Sequence, residues 1–276
     1  MTSTTGESDP PGEVASLARQ VAAVGVELGL PFIAASADIG SPMPIIGPDG
    51  RPLAESLFRW IDPDFKYWED RAFALRAPLV NATRTSAEPF YFADGRLATW
   101  RASRALEAIN AAGPIESFGV GAAIVAPAYL PGGVIGAIVW ASPDPDAPVK
   151  AAFDARAADL HALALRFIAA YTDAALGESP PLVRLTRREI QCLKWAAAGK
   201  TDSEISTIVQ ISLPTVRFHI TNASRKLGAA GRSQAIHRAS NLGYIGGGDP
   251  ERLTRPPRGG SAPRTLFLSR GRSTTS

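Results

Sequence analysis

Guanidinium, hydroxyl and amide side chains recur at helical spacing between residues 213 and 227. Arg217, Thr221 and Arg225 follow one another at intervals of four, and Asn222 lies beside them. Residues three or four apart share one face of a helix, so this segment would present these groups together. Arginine and asparagine bond the edges of bases, and arginine also binds phosphates. The residue types favour recognition of a nucleic acid over bond-making catalysis.

Local signals around this segment predict the helices that would position it. Three helix starts are each marked by a pair of capping or first-turn residues: Thr186 and Glu189, Thr201 and Glu204, Ser212 and Pro214. They predict helices over 187–198, 202–209 and 213–227, followed by a fourth over 233–242. The second and third form a helix-turn-helix, and the third would bury Val216, Ile220, Ala223 and Leu227. The pattern leaves one alternative open, a solvated basic helix on a helical bundle.

The front of the chain mixes helical and strand patterns. Apolar residues recur at helical spacing from Glu13 to Leu28, and residues 32–38 are compatible with a strand. A helix is expected over 100–112, then two apolar runs around Pro131 that predict a hairpin, and a long helix over 149–176. We therefore predict an α+β protein: an α/β/α sandwich over 13–176, resembling a ligand-binding domain, and an all-α four-helix domain over 185–245.

Aromatic residues concentrate in one part of this first domain. Ten of the chain's 21 aromatic residues fall between Phe58 and Trp100. Such a cluster suits the lining of a ligand pocket, but it equally suits the filled core of a sandwich, and the sequence leaves both open. Candidates for a lining, chosen by position, are Tyr67, Trp68, Phe73, Ala77, Phe90, Phe92, Trp100 and Phe118.

Charge separates the two domains. Residues 1–181 contain 13 Lys and Arg against 21 Asp and Glu, whereas residues 182–245 contain 10 against 3. Residues 1–12 are expected to be disordered, residues 177–184 to form a linker, and residues 246–276, rich in Gly, Pro and Arg, to be a basic disordered tail. An acidic front joined to a basic back predicts that only the back faces a polyanion.

Several function classes are disfavoured by composition. No stretch of 18 apolar residues is present, and the start lacks the pattern of a secretory signal, so we expect no membrane span and a cytoplasmic location. Cys192 is the only cysteine, which excludes an intrachain disulfide. The chain shows no metal-ligand spacing, phosphate loop or catalytic grouping. We therefore expect no metal, no cofactor and no enzyme activity.

The basic segment resembles the DNA-binding domain of the LuxR family of bacterial transcription regulators. The shared motifs span about 60 residues and include LT-x-RE, W-x-x-x-GK, IS-x-x-TV-x-x-H, N-x-x-x-KL and R-x-Q-A. The resemblance implies that Arg217, Phe218 and Thr221 approach base edges. It also implies that Glu189 is a cap and ion-pair partner. Backbone-positioning residues are implied at Lys200, Thr201, Ser203, Thr215, Asn222, Arg225 and Lys226.

The first domain resembles, with departures, the autoinducer-binding domain of quorum-sensing members of that family. Spacing places Asp64 and Trp68 at the family's tryptophan and tyrosine, Ala77 at its aspartate and Phe92 at its later tryptophan. Loss of the carboxylate at Ala77 removes the acceptor for a signal's amide N–H and argues against a standard acyl-homoserine lactone.

The resemblance implies a homodimeric transcription regulator that binds double-stranded DNA under the control of a small apolar signal. The alternative is a ligand-independent protein that sequesters another LuxR-type regulator by heterodimer formation. Footprinting of the purified protein would separate these two hypotheses.

Overall fold

The computed structural model describes residues 10–67, 69–70, 76–176 and 182–246. The chain divides into two units after Leu182. Residues 1–9 and 247–276, which contain most of the expected disordered start and tail, lie outside the described residues, as do 177–181 of the expected linker. Residues 10–12 belong to a helix, because the first helix begins at Pro10 rather than at Glu13.

The first unit contains helices on both faces of an antiparallel sheet, which confirms the predicted α/β/α sandwich. Its helices are α1 (Pro10–Glu27), α2 (Pro78–Thr85), α3 (Arg104–Ala111) and α4 (Val149–Leu176). Its strands are β1 (Phe32–Ser36), β2 (Phe90–Ala93), β3 (Arg96–Ala98), β4 (Ala122–Tyr129) and β5 (Ile135–Ser142). The strand order is β1-β5-β4-β2-β3.

The predicted hairpin forms the centre of this sheet. Strands β4 and β5 pair antiparallel from Ala122 opposite Ser142 to Tyr129 opposite Ile135. Side chains alternate between the two faces of a strand, so Ile124 and Trp140 pack with α1 and α4 while Val125 packs with α2 and α3. The continuous burial of β4 follows from this coverage of both faces.

Two side chains join helices to strands of the first unit by hydrogen bonds. The indole Nε1 of Trp140 donates to the carbonyl oxygen of Val21 at 2.9 Å and thereby joins β5 to α1. The amide of Asn110 accepts from Leu97 N at 2.8 Å and donates to Leu97 O at 2.9 Å. Leu97 lies on the edge strand β3, so α3 supplies the partners that a missing strand would have provided.

The expected helix over 100–112 begins later than predicted. The side chain of Ser103 accepts from Leu106 N at 3.4 Å, which caps α3 and starts it at Arg104. Trp100 therefore precedes the helix instead of contributing to its face. The expected strand over 32–38 is likewise shorter and ends at Ser36. Asp38 instead accepts from Gly40 N at 2.8 Å and forms a turn.

The second unit is helical throughout its described part, as predicted. Its helices are α5 (Arg187–Ala197), α6 (Asp202–Val209), α7 (Leu213–Lys226) and α8 (Arg232–Asn241). Two small cores hold them together. One joins α5, α6 and α7 around Cys192, Ile205 and Val216, and the other joins α5, α7 and α8 around Leu193 and Ala235.

Candidate nucleic-acid interface and ligand cavity

The entry into α7 is set by local hydrogen bonds. Gln210 ends α6 in the left-handed conformation, with φ of 56°. Ser212 then caps α7, because its hydroxyl accepts from Thr215 N at 3.3 Å. Pro214 falls in the first turn, where a missing N–H costs no helical hydrogen bond. The two helices are consequently joined by a turn of only three residues.

The two faces of α7 differ in burial and chemistry. Val216 and Ile220 are buried against α5 and α6, and Ala223 is buried against α5 and α8. The opposite face exposes Arg217, Phe218, Thr221, Arg225 and Lys226. Phe218 is 61% exposed, an uncommon location for a phenylalanine on a packed helix. An apolar ring among cationic and hydroxyl groups is a surface suited to bases and phosphates together.

The structure places several of the expected DNA-backbone residues in hydrogen bonds within the protein. The hydroxyls of Thr215 and Ser212 lie 2.7 Å apart, and Thr201 caps α6 through Glu204. Arg225 donates to the Asn222 side chain at 2.7 Å. The Arg225 guanidinium keeps further donors, whereas the Thr201 hydroxyl donates its one proton to Glu204 at 2.8 Å. The bonds therefore orient the surface and leave Arg225 able to reach a phosphate.

Lys226 has a defined partner inside the domain. Its ammonium lies 2.8 Å from the carboxylate of Glu189, a side chain that is only 4% exposed. Glu189 also accepts from Thr186 N at 2.7 Å and completes the predicted capping box. One ammonium donor is thereby committed to the fold rather than to DNA.

Lys200, Ser203 and Arg217 lie around a depression at the N-terminal end of α6. Asp202 is half-buried there, with its Oδ2 3.7 Å from Arg217 Nε. Its Oδ1 accepts a hydrogen bond from Arg232, which also donates to the Lys200 carbonyl oxygen at 2.6 Å. The sequence motifs gave no indication of this carboxylate, because its partners are 15 and 30 residues away.

A cavity of about 90 Å³ lies in the first unit. It is bounded by β1 and β5, by the start of α2, and by residues from the segments 60–67 and 116–120. Three of the expected lining residues are brought together there: Tyr67, Ala77 and Phe118. Its lining also includes Ala34, Ser36, Trp60, Thr83, Glu116 and Val139. These residues were not among the predicted lining, although Trp60 belonged to the aromatic cluster.

The Tyr67 phenol is held by the edge of the sheet. Its hydroxyl accepts from Ala35 N at 3.2 Å and donates to Ala35 O at 3.3 Å. Burial raises the pKa of Tyr67 to about 12, against the opposing effect of the Ala35 hydrogen bond. The phenol is therefore neutral at physiological pH, and its ring forms a wall of the cavity.

Two unusual groups border this cavity. The Trp60 indole Nε1 is buried and, within the described part of the chain, has no hydrogen-bond partner. An unpaired buried donor costs about 1–3 kcal/mol. Phe118 has φ of 52°, a conformation uncommon for a bulky residue. Backbone strain of this kind is concentrated at ligand sites.

Other expected lining residues lie elsewhere. Phe90 and Phe92 are buried in the core between the sheet and α2 and α3, and neither borders the cavity. Trp100 is 51% exposed and contacts Phe153 of α4, which belongs to the core on the opposite face of the sheet. Strand order explains the first pair, since β4 separates β2 from β5 and β1, the strands that bound the cavity. Trp68 and Phe73 lie outside the described residues.

The described residues lack two further kinds of feature. They contain no group of three or more His, Cys, Asp or Glu side chains arranged to hold a metal ion. Among them, no helix combines the length and apolar character needed to cross a membrane.

Two family models match the chain, one in each unit. Residues 62–171 match the family described as "Autoinducer binding domain", and residues 183–239 match "Bacterial regulatory proteins, luxR family". The match thus reaches both the cavity and the helix-turn-helix.

Similar proteins are found among curated and solved proteins. The transcriptional activator protein VanR of Vibrio anguillarum is 53% identical over 68 residues, which are 25% of this chain and 28% of VanR. The quorum sensing-dependent transcriptional regulator RpaR of Rhodopseudomonas palustris is 53% identical over 62 residues, 22% of this chain and 26% of RpaR. The solved structure of SdiA in complex with octanoyl-rac-glycerol is 20% identical, with a TM-score of 0.43, over 83% of this chain and 88% of SdiA.

The alignments to the curated relatives span about a quarter of each relative's length. Both relatives are named as transcription regulators and not as enzymes. The two family matches lie in the same order as the two structural units, with the autoinducer-binding domain first. The chain therefore joins an autoinducer-binding domain to a LuxR-type helix-turn-helix domain, the second of which belongs to the luxR family of bacterial regulatory proteins.

Proposed function

We propose that this protein is a transcription regulator that binds double-stranded DNA through α7 and responds to a small molecule bound in its first unit. The observation that carries the proposal is the exposed face of α7. It holds Arg217, Phe218 and Thr221 near its N-terminal half while Val216 and Ile220 anchor the other face. In helix-turn-helix proteins this is the part of the second helix that enters the major groove.

Charge supports a polyanionic partner for the second unit alone. Among the described residues of this unit, the cationic side chains that are exposed or half-buried include Lys200, Arg217, Arg225 and Arg232. Counterion release makes DNA affinity fall with salt, with a log–log slope of about −0.9 for each phosphate contact. The test is selection of duplexes from a random library by the purified full-length chain, followed by titration at several salt concentrations. Failure to enrich any sequence, or affinity independent of salt, would refute the proposal.

The cavity favours a neutral ligand with at least one hydrogen-bond acceptor. No Lys, Arg or His is among its described lining residues, and Glu116 supplies a carboxylate at an exposed position, so an anion would be poorly matched. The unpaired Trp60 N–H would gain a partner from a carbonyl or ether oxygen. Ala77, which is 2% exposed, offers no carboxylate to an amide N–H. An acyl-homoserine lactone would leave that donor unpaired at a cost of about 1–3 kcal/mol.

Cavity size limits the ligand further. An engineered cavity of about 150 Å³ takes up benzene, whereas this one measures about 90 Å³. A molecule of about the size of benzene or larger would therefore require the lining to open. Native mass spectrometry of the protein purified from its own host tests this part of the proposal. A co-purified neutral molecule with an acceptor oxygen would support it, and a bound acyl-homoserine lactone would contradict it.

We further propose that the protein acts on DNA as a homodimer, because one α7 helix reads a single half-site. Sedimentation of the full-length chain with its selected duplex tests the assembly, and a monomer on DNA would contradict it. The narrow cavity also motivates a second candidate, a ligand-independent protein that sequesters another LuxR-type regulator as a heterodimer. That candidate predicts no footprint by the purified protein, whereas our first proposal predicts a footprint.

A further inference from the structure

The carboxylate of Asp202 connects three helices of the second unit. Asp202 is the first residue of α6, and its side chain is 26% exposed. One oxygen accepts from Arg232 of α8, and the other lies 3.7 Å from Nε of Arg217 on α7. A single carboxylate therefore contacts one arginine within the fold and one on the surface proposed to face DNA.

The side chains of the two arginines differ in how strongly the protein restrains them. Arg232 is half-buried and is held a second time, since its Nη2 donates to the Lys200 carbonyl oxygen at 2.6 Å. The side chain of Arg217 is 67% exposed. The Asp202 carboxylate is thus anchored by Arg232, and it is Arg217 that must adjust to it.

The Asp202 carboxylate approaches Arg217 from a side that leaves the terminal nitrogens of the guanidinium available. The carboxylate meets the guanidinium at Nε, and within the described residues neither terminal nitrogen of Arg217 has a hydrogen-bond partner. Two parallel N–H groups at the end of an arginine match O6 and N7 of guanine in the major groove. A free arginine side chain loses rotamer entropy when it binds, and contact with an anchored carboxylate removes part of that entropy before binding.

We propose that Asp202 is a positioning residue that orients Arg217 for bidentate contact with a guanine, so that each half-site contains one G·C pair whose recognition depends on this carboxylate. The inference rests on the proposed DNA-binding function. It also predicts that removing the Asp202 charge does not weaken non-specific DNA binding, because a carboxylate near the duplex repels phosphates. Its removal should lower discrimination at one base pair while leaving affinity for scrambled DNA unchanged or higher.

The experiment compares full-length variants in selection from a random duplex library, followed by titration of the selected duplex, its single-base variants and a scrambled duplex. Asp202→Asn keeps the shape but removes the charge. Arg217→Lys keeps the charge and leaves the Asp202–Arg232 contact intact, so it covers the case in which Asp202→Asn fails to fold. Glu204→Gln is the matched control, because it removes a negative charge from the same helix and glutamine still fits the capping box.

We expect the wild-type chain to prefer guanine at one position by about fivefold or more. Asp202→Asn and Arg217→Lys should both lose that preference and retain those at other positions, whereas Glu204→Gln should retain all of them. Retention of the guanine preference by either of the first two variants would overturn the inference. So would an Asp202→Asn protein that loses preference at every position together with affinity for scrambled DNA. If the wild type itself selects nothing, the proposed function fails as well.

Discussion

The ammonium of Lys226, at the end of α7, lies 2.8 Å from the buried carboxylate of Glu189 in the first turn of α5. The same carboxylate accepts from the backbone N–H of Thr186. The contact joins the first helix of the domain to the helix proposed to read DNA. A charged group buried in this way depends on its partner, which gives the domain a defined response to acid.

Acid should destabilise the second unit through Glu189. Burial raises the pKa of this carboxyl, but hydrogen bonds from Lys226 and Thr186 outweigh burial, and its pKa lies below the ordinary 4.5. The unfolded state therefore binds more protons, and the stabilisation is present above pH 4.5 and lost as pH falls through the folded pKa. Hydrogen-exchange mass spectrometry of peptides from 183–246, in the full-length chain between pH 7 and 3, measures this loss of protection.

Two variants check the assignment. Glu189→Gln should flatten the acid dependence of protection. Lys226→Met should lower the free energy of opening by about 1–3 kcal/mol at pH 7, a range reduced for the partial exposure of Lys226. An acid profile that is unchanged in Glu189→Gln would show that another group is responsible.

Two arginines of α7 should affect DNA binding differently. Arg217→Ala is expected to reduce discrimination between the selected and scrambled duplexes, because we assign its guanidinium to a base. Arg225→Ala should weaken both duplexes about equally and reduce the salt slope by about 0.9, since we assign Arg225 to a phosphate. Gel-shift titrations at several salt concentrations compare the variants. The reverse ordering would contradict the assignment.

Two tryptophans of the first unit provide a matched comparison of hydrogen bonding. Trp140→Phe should lower the free energy of unfolding by about 1–3 kcal/mol from the lost bond, because the carbonyl oxygen of Val21 loses its indole donor. Trp60→Phe removes a buried N–H that has no partner among the described residues, so we expect less destabilisation or a gain. Urea unfolding of the full-length chain without ligand measures both. Equal losses would indicate that Trp60 Nε1 is already bonded in solution.

Gly121, which precedes β4, should not accept a side chain. An added Cβ would lie 2.4 Å from the carbonyl oxygen of Pro143 and 2.6 Å from Pro145 N. Both contacts are with backbone atoms, so Gly121→Ala should cost about 1–3 kcal/mol of stability. Gly40→Ala is the control, because its closest contact is the Asp38 side chain at 3.2 Å. Thermal unfolding compares the two variants, and equal melting temperatures would show that the Pro143 segment can move aside.

Local sequence was sufficient to predict helix α7, which we propose faces DNA. Ser212 and Pro214 determine where α7 begins, and helical periodicity assigns Val216 to the core and Arg217 to the surface. These features depend on hydrogen bonds and spacings within a few residues. The sheet hairpin was predictable for the same reason, since two apolar runs flank Pro131.

Tertiary structure decided which residues meet at the cavity and at Asp202. Tyr67 reaches the edge of the sheet at Ala35 across 32 residues, and Arg232 reaches Asp202 across 30. The strand order places Phe90 one strand away from the cavity, and Trp100 contacts Phe153 on the opposite face of the sheet. Such contacts depend on strand register and loop path, which are set by the packing of the whole unit and leave no short-range pattern in the chain.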